Sequence, residues 1–142
     1  MPKKSVLILC TGNSARSQMA EGLLRNMAGE RFEVVSAGTK PSVVRPEAIV
    51  AMREIGIDIT SQRSKSVEQF ITRPFDYVIT VCDHANETCP VFPNAGKRLH
   101  WPFEDPPGPE ANEQARVLAF RKVRDEMHAR FALELASGVF TL

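Results

Sequence analysis

No stretch of this chain approaches the roughly twenty consecutive apolar residues that a membrane-spanning helix needs. The opening Met1-Pro2-Lys3-Lys4 leads into a short apolar run, Val6-Leu7-Ile8-Leu9, too short for a secretory signal. The expectation is therefore a cytoplasmic protein with no membrane partner. Charge of one sign is also missing: 18 Lys and Arg face 17 Asp and Glu, so no broad field favours nucleic acid or lipid. Aromatic side chains other than Phe are scarce, with one Tyr and one Trp. Cysteine is limited to Cys10, Cys82 and Cys89, and an odd count argues against a fixed disulfide framework. In a reducing compartment such thiols are catalytic or metal-binding more often than structural. Internal repeats, low-complexity tracts and linkers are absent as well, so residues 1–142 are expected to form one domain. That length buries a core without help from disulfides or metal.

The segments that are present alternate between the two regular periods. Residues 5–9 read as a buried strand. Residues 18–28 read as a helix with Met19, Leu23, Leu24 and Met27 at helical spacing, stopped at Gly29. A second strand is expected over 32–36. Pro46 suits the first turn of a second helix, with Ala48, Met52 and Ile55 on its apolar face. Residues 57–64 read as loop, 67–71 as a short helix and 76–81 as a strand. A long polar loop over 82–96 follows, of the kind that is usually functional or disordered. Residues 98–101 read as a last short strand. Residues 102–109 hold four prolines and cannot be regular. A helix is expected over 110–135, with Leu118, Val123, Met127, Phe131 and Leu135 as its buried stripe. This order implies an α/β protein with a parallel sheet covered on both faces. Ligands of such sheets bind at the carboxyl ends of the strands. Residues 10–17, 82–89 and 101–107 fall there.

The first of these stretches is Cys10-Thr11-Gly12-Asn13-Ser14-Ala15-Arg16-Ser17. Backbone N–H groups of a tight turn entering a helix converge on a concavity that holds anions. Gly12 accepts positive φ freely, and Asn13 tolerates it better than most residues. Arg16 adds a planar fork matched to a tetrahedral oxyanion. The same groups would favour a thiolate at Cys10, and Ser17 could donate a hydrogen bond to its sulfur. The alternative is a buried Cys ending a strand beside a surface Arg.

Cys10-x5-Arg16-Ser17 resembles the signature of the low-molecular-weight protein tyrosine phosphatase superfamily, which includes the thioredoxin-coupled arsenate reductases. The resemblance implies a three-layer sandwich with a four-stranded parallel sheet of flavodoxin-like topology. It also implies oxyanion binding by Thr11, Gly12, Asn13, Ser14, Ala15 and Arg16. The segment Thr80-Val81-Cys82-Asp83-His84-Ala85-Asn86-Glu87-Thr88-Cys89-Pro90 is similar to the reductases in carrying both further cysteines. Ser36-Ala37-Gly38-Thr39 and Asp105-Pro106 extend the likeness over nearly the whole chain. On this reading Cys10 attacks arsenate, Cys82 attacks Cys10, and Cys89 attacks Cys82. The final Cys82–Cys89 disulfide is reduced by thioredoxin, with glutaredoxin as the other candidate. If 82–89 were helical, its two end Cα atoms would lie about 10 Å apart, beyond the roughly 4.4–6.8 Å of a disulfide. The segment would then rearrange on oxidation. Two other readings of these thiols are a zinc site of Cys82, His84 and Cys89, with His100 as a fourth ligand, and inert core cysteines.

A leaving oxygen needs a proton, and a carboxylic acid on a stiff loop can supply it. Asp105, before Pro106, matches the acid of the superfamily, with Glu104 as its neighbour and alternative. The phosphatases usually place aromatics just after this Asp-Pro. Here Pro107-Gly108 follow, and the one Tyr, Tyr77, lies in a strand. A small inorganic anion is therefore expected, arsenate with phosphate or sulfate competing. Some reductases of the family bind potassium at positions matching Asn13, Glu21 and Ser36 plus an acidic residue. Here Ser64-Lys65-Ser66 stands in that region, so Lys65 is expected to supply the charge and no metal is expected. The reading as a whole is a monomeric arsenate reductase with Cys10, Cys82, Cys89, Arg16, Ser17 and Asp105 as catalytic residues and no bound cofactor. The rivals are a phosphatase and a non-enzymatic oxyanion or redox sensor.

Overall fold

The computed structural model describes residues 2–83 and 92–138. Cys89 and His84, and with them the question of a helix over 82–89, lie outside the described residues. In chain order the elements are β1 (Lys4–Cys10), α1 (Arg16–Ala28), β2 (Phe32–Gly38), α2 (Pro46–Arg53), a single 3-10 turn (Val67–Phe70), β3 (Phe75–Thr80), β4 (Ala95–His100) and α3 (Glu113–Ser137). The four strands form a parallel sheet in the order β2-β1-β3-β4. None of the described helices is long and apolar enough to cross a membrane.

The central strand explains the layering. A strand covered on both faces reads as a continuous apolar run, and Val6, Leu7, Ile8 and Leu9 are fully buried. Val6, Ile8 and Cys10 point into a core shared with α1, α2 and α3. Leu7 and Leu9 point the other way, into a smaller cluster with Phe75, Val78 and Phe92, against which Phe70 of the 3-10 turn packs. The sheet thus lies between two apolar layers, as the alternation of elements predicts. The carboxyl ends of three strands are level, because Leu9 pairs with Thr80 and Thr80 with His100. The residues that directly follow them therefore start side by side.

Several expectations change in detail. Helix α1 starts two residues early, at Arg16. The buried face of α2 is Ala48, Ala51 and Met52, while Ile55 lies past its end and is exposed. Strand β4 spans Ala95–His100 rather than 98–101, leaving Trp101 to pack edge-on against Phe131. Helix α3 starts at Glu113 rather than 110, because Asn112 caps it through Ala115 N–H at 2.8 Å. Its buried stripe runs Phe120, Val123, Arg124, Met127 and Phe131, with Leu135 partly buried. Leu118, expected in that stripe, is 55% exposed. A 3-4-4 spacing from Phe120 keeps one face of a 3.6-residue helix, and Leu118 lies off it.

Candidate active site

The turn between β1 and α1 is built by disposing of its carbonyls first. Lys40 N–H donates to Thr11 O (2.9 Å), Ser42 N–H to Gly12 O (3.3 Å) and Arg45 N–H to Ser14 O (2.9 Å). Ser64 Oγ also donates to Gly12 O, at 3.1 Å. With its oxygens drawn outward into residues 40–64, the turn can present N–H groups inward, as an anion loop must. Two residues permit the curve. Asn13 takes the left-handed conformation, φ 47°, and Gly38 lies against the loop backbone. A Cβ at Gly38 would strike Thr11 O and come within 2.9 Å of Asn13 N. The first turn of α1 carries no acidic residue to compete for an anion.

Cys10, the last residue of β1, is 2% exposed. Its sulfur accepts from Asn13 N–H at 3.2 Å and lies 2.8 Å from Ser17 Oγ. The direction of that second contact follows from its neighbours. The Asn13 amide gives one hydrogen to Ser17 Oγ (2.8 Å) and the other to Ser36 Oγ (2.9 Å). Ser36 in turn donates to Glu21 Oε1 at 2.6 Å. Ser17 already accepts from Asn13, so its own hydrogen is available for Cys10 Sγ. Asn13 Oδ1 accepts from Gln18 Nε2 (3.0 Å) and from Lys65 N–H (2.8 Å), which fixes the orientation of the amide. All four polar residues of this chain, Asn13, Ser17, Ser36 and Glu21, are buried. It runs from a carboxylate to the Cys10 sulfur.

Glu21 is surrounded by cations. Arg25 Nη2 donates to Oε2 at 2.6 Å, and Lys65 Nζ lies 3.8 Å from Oε1. Burial pushes the Lys65 ammonium below its usual pKa, against the attraction of Glu21, and Arg25 adds to the fall. These surroundings do not suit potassium. Asn13 and Ser36 direct hydrogens along the chain, and the carboxylate already has two cationic neighbours. Among the described residues no cluster of His, Cys, Asp and Glu is placed to hold a metal. Of the four candidate zinc ligands, Cys82 is buried in the core and His100 Nδ1 lies 2.6 Å from Thr80 Oγ1, while His84 and Cys89 lie outside the described residues.

The other two loops arrive where expected. Cys82 is fully buried just beyond β3, in the same apolar cluster as Cys10. Val81 N–H bonds Leu9 O at 2.9 Å, so each thiol lies one residue past a member of that hydrogen bond. The proline-rich segment leaves β4 with Trp101 N–H on Thr80 O (2.9 Å) and Phe103 N–H on Val81 O (3.3 Å). Arg16, 3% exposed, reaches from the first turn of α1 to this segment. Its Nη1 donates to Phe103 O at 3.2 Å, and its Nε lies 3.4 Å from Asp105 Oδ1. Asp105 remains 62% exposed, and Glu104 is exposed too.

Some members of the site had no sequence signal. Gln18 is fully buried and its amide bridges Asn13 O (3.0 Å) and Arg63 O (2.9 Å). Gln62 holds Gln18 in place at 2.8 Å. A glutamine in the first turn of a helix resembles any solvated residue until the fold is known. Arg45, at the head of α2, makes contacts with the proline-rich segment that its position before Pro46 does not suggest.

Known proteins share this fold. Residues 5–136 match the family model described as low molecular weight phosphotyrosine protein phosphatase. An arsenate reductase of Halalkalibacterium halodurans is 45% identical over 138 residues, 97% of this chain and 99% of that one. A solved arsenate reductase in its phosphate-binding state superposes with a TM-score of 0.79 at 34% identity, covering 94% of this chain and 98% of that one. The thioredoxin-dependent arsenate reductase of Corynebacterium glutamicum matches with a TM-score of 0.74 at 27% identity, covering 99% of this chain and 64% of that one. The chain belongs to the low molecular weight phosphotyrosine protein phosphatase family, among its arsenate reductases.

Proposed function

We propose that this protein reduces arsenate to arsenite, with Cys10 as nucleophile, Cys82 and Cys89 as the relay and thioredoxin as the reductant. The observation that carries the reading is a second buried thiol, Cys82, at the end of the strand beside β1 and in the same cluster as Cys10. A phosphatase needs no such thiol. The relatives named above for arsenate reduction support it. So does the stretch after Asp105-Pro106, where Pro107-Gly108 stand in place of aromatic residues.

The chemistry proceeds in balanced steps. The Cys10 thiolate attacks arsenic in dihydrogen arsenate, held by the loop N–H groups and Arg16. One As–OH bond breaks, and the hydroxide takes the Asp105 proton and leaves as water. The Cys82 thiolate then attacks Cys10 Sγ. The S–As bond breaks with its electron pair remaining on arsenic, which leaves as arsenite. Cys89 attacks Cys82 and frees Cys10 as thiolate. The dithiol of thioredoxin reduces the Cys82–Cys89 disulfide and is itself oxidised. The proposal places the chain as a monomer in a reducing compartment, the cytoplasm.

Thiol counting tests it. After exposure to arsenate without reductant, the protein is expected to lose two of its three titratable thiols and to release one arsenite. A phosphatase or oxyanion sensor loses none through turnover. Thioredoxin, set against glutaredoxin, is expected to sustain further turnovers.

Lys65 on this reading supplies a permanent cation to the Glu21–Ser36–Asn13–Ser17 chain. Replacing Lys65 by aspartate removes that charge and adds an opposite one. Arsenite formation by Lys65→Asp is expected to fall about tenfold in sodium buffer, the scale of about 1.4 kcal/mol, and to rise again with potassium. A variant that ignores potassium removes the support for this role.

A further inference from the structure

Asp105 sits on a segment with few N–H groups to hold it, those of Phe103 and Gly108 being bonded to Val81 O and Glu110 Oε1. Pro102, Pro106, Pro107 and Pro109 have no N–H, so residues 102–109 can be held largely through their carbonyls. The amino-terminal part is held by Arg16 on Phe103 O at 3.2 Å. The carboxyl-terminal part is held by a different arginine. Arg45 Nη2 donates to Pro107 O at 2.8 Å, and Nη1 lies 3.4 Å from Pro106 O. Asp105 thus lies between two arginine-held points, with Arg45 gripping the two residues directly after it.

Arg45 is itself fixed from three directions. Its own N–H donates to Ser14 O of the anion loop at 2.9 Å. Its guanidinium stacks over the Phe120 ring of α3, 4.6 Å from the centroid. Glu47 Oε2 accepts from Nη2 at 3.0 Å, and the same oxygen accepts from Arg116 Nε at 3.0 Å. Arg116 also donates to Ala111 O, at the far end of the proline-rich stretch. Burial raises the Glu47 pKa, but its backbone N–H, Arg45 and Arg116 together hold the carboxyl below the usual value. One residue therefore joins the loop that binds the anion, the segment that carries the acid and the helix beneath both.

We infer that Arg45 is the positioning residue of the Asp105 acid, setting the distance between the anion loop and the acid segment through Pro106 O and Pro107 O. The inference rests on the acid role given to Asp105 above. Arg45 touches no reacting atom. Its effect is expected only through the placement of Asp105, where misplacement by about 1 Å can lower a rate about a hundredfold.

The experiment measures arsenite release in a single turnover, without thioredoxin, so that reductant recycling does not mask the chemical step. Arg45→Ala is expected to lower the rate constant at saturating arsenate about tenfold, with half-saturation within about twofold. In an Asp105→Asn background the same change is expected to lower the rate less than about twofold, since the two residues act as a unit. Arg45→Lys keeps the stem on Phe120 and a charge near Glu47 but cannot fork to two carbonyls. It is expected to lie between parent and alanine, and it decides the matter if Arg45→Ala fails to fold. Equal losses in both backgrounds, or a loss confined to half-saturation, overturn the inference. If Asp105→Asn lowers the rate and neither Arg45 variant does, only the role of Arg45 fails. If Asp105→Asn itself leaves the rate unchanged, the acid reading fails and takes this one with it.

Discussion

Replacing Cys82 by serine is expected to stop arsenite formation, to below about one thousandth of the parent rate, or about 4 kcal/mol of barrier, while oxyanion binding persists. The second electron pair explains the size of the effect. Attack by Cys10 does not change the oxidation state of arsenic. Reduction needs a second nucleophile to take Cys10 sulfur and leave the S–As electron pair on arsenic, and a serine hydroxyl is far too weak a nucleophile for that. Without Cys82 the adduct can only return to arsenate by hydrolysis. Cys82 is fully buried, with Leu9 O 3.9 Å from its sulfur, so a serine there has an acceptor within adjustment distance and the fold is expected to survive. The measurement pairs arsenite production with alkylation of Cys10. Arsenate is expected to slow alkylation in Cys82→Ser as in the parent, showing an intact anion loop. Arsenite production by the variant at more than about a tenth of the parent rate would remove Cys82 from the relay.

What the residues disclosed, and what they withheld, follows from how local each feature is. The anion loop was legible because its parts are contiguous: Cys10, Gly12, Asn13, Arg16 and Ser17 lie within eight positions between a strand and a helix. The four strands and three longer helices were legible from periodicity and from Pro46. Boundaries moved where capping chemistry outweighed periodicity, as at Asn112. Leu118 was misplaced because Leu at nearly the right spacing is indistinguishable from core until Phe120 is seen to take the buried position. The connections that join the three loops were not legible. Arg16 to Phe103 O, Arg45 to Pro107 O and Lys65 N–H to Asn13 Oδ1 span 87, 62 and 52 positions. Two of those acceptors are backbone carbonyls, which have no residue type to announce them. Long-range polar contacts to the main chain are specified by topology, and topology emerges only when the sheet is assembled.

Asn13 is the second position where a large effect is expected, and there backbone and side chain can be separated. Its φ of 47° favours Gly over Ala, whereas at ordinary positions Ala stabilises relative to Gly. Its side chain donates to Ser17 and Ser36 and accepts from Gln18 and Lys65 N–H, all within 3.0 Å. Truncation leaves several buried polar groups without partners, at about 1–3 kcal/mol for each that water does not reach. Asn13→Ala is therefore expected to lose about 3–5 kcal/mol, a large part of the roughly 5–15 kcal/mol that holds a domain folded. Asn13→Gly is expected to be more stable than Asn13→Ala by about 1 kcal/mol, because it relieves the left-handed strain. Catalysis is expected to separate from stability. Both variants remove the donor that orients Ser17 toward Cys10 Sγ, so both are expected to form arsenite about ten- to a hundredfold more slowly, the range of a hydrogen bond to a charged group. Denaturant unfolding and single-turnover arsenite release, measured on the same two proteins, check the two halves. Glycine less stable than alanine would deny the strain at Asn13. Parent-like turnover by Asn13→Gly would show that the chain from Glu21 to Cys10 holds the loop together without serving its sulfur.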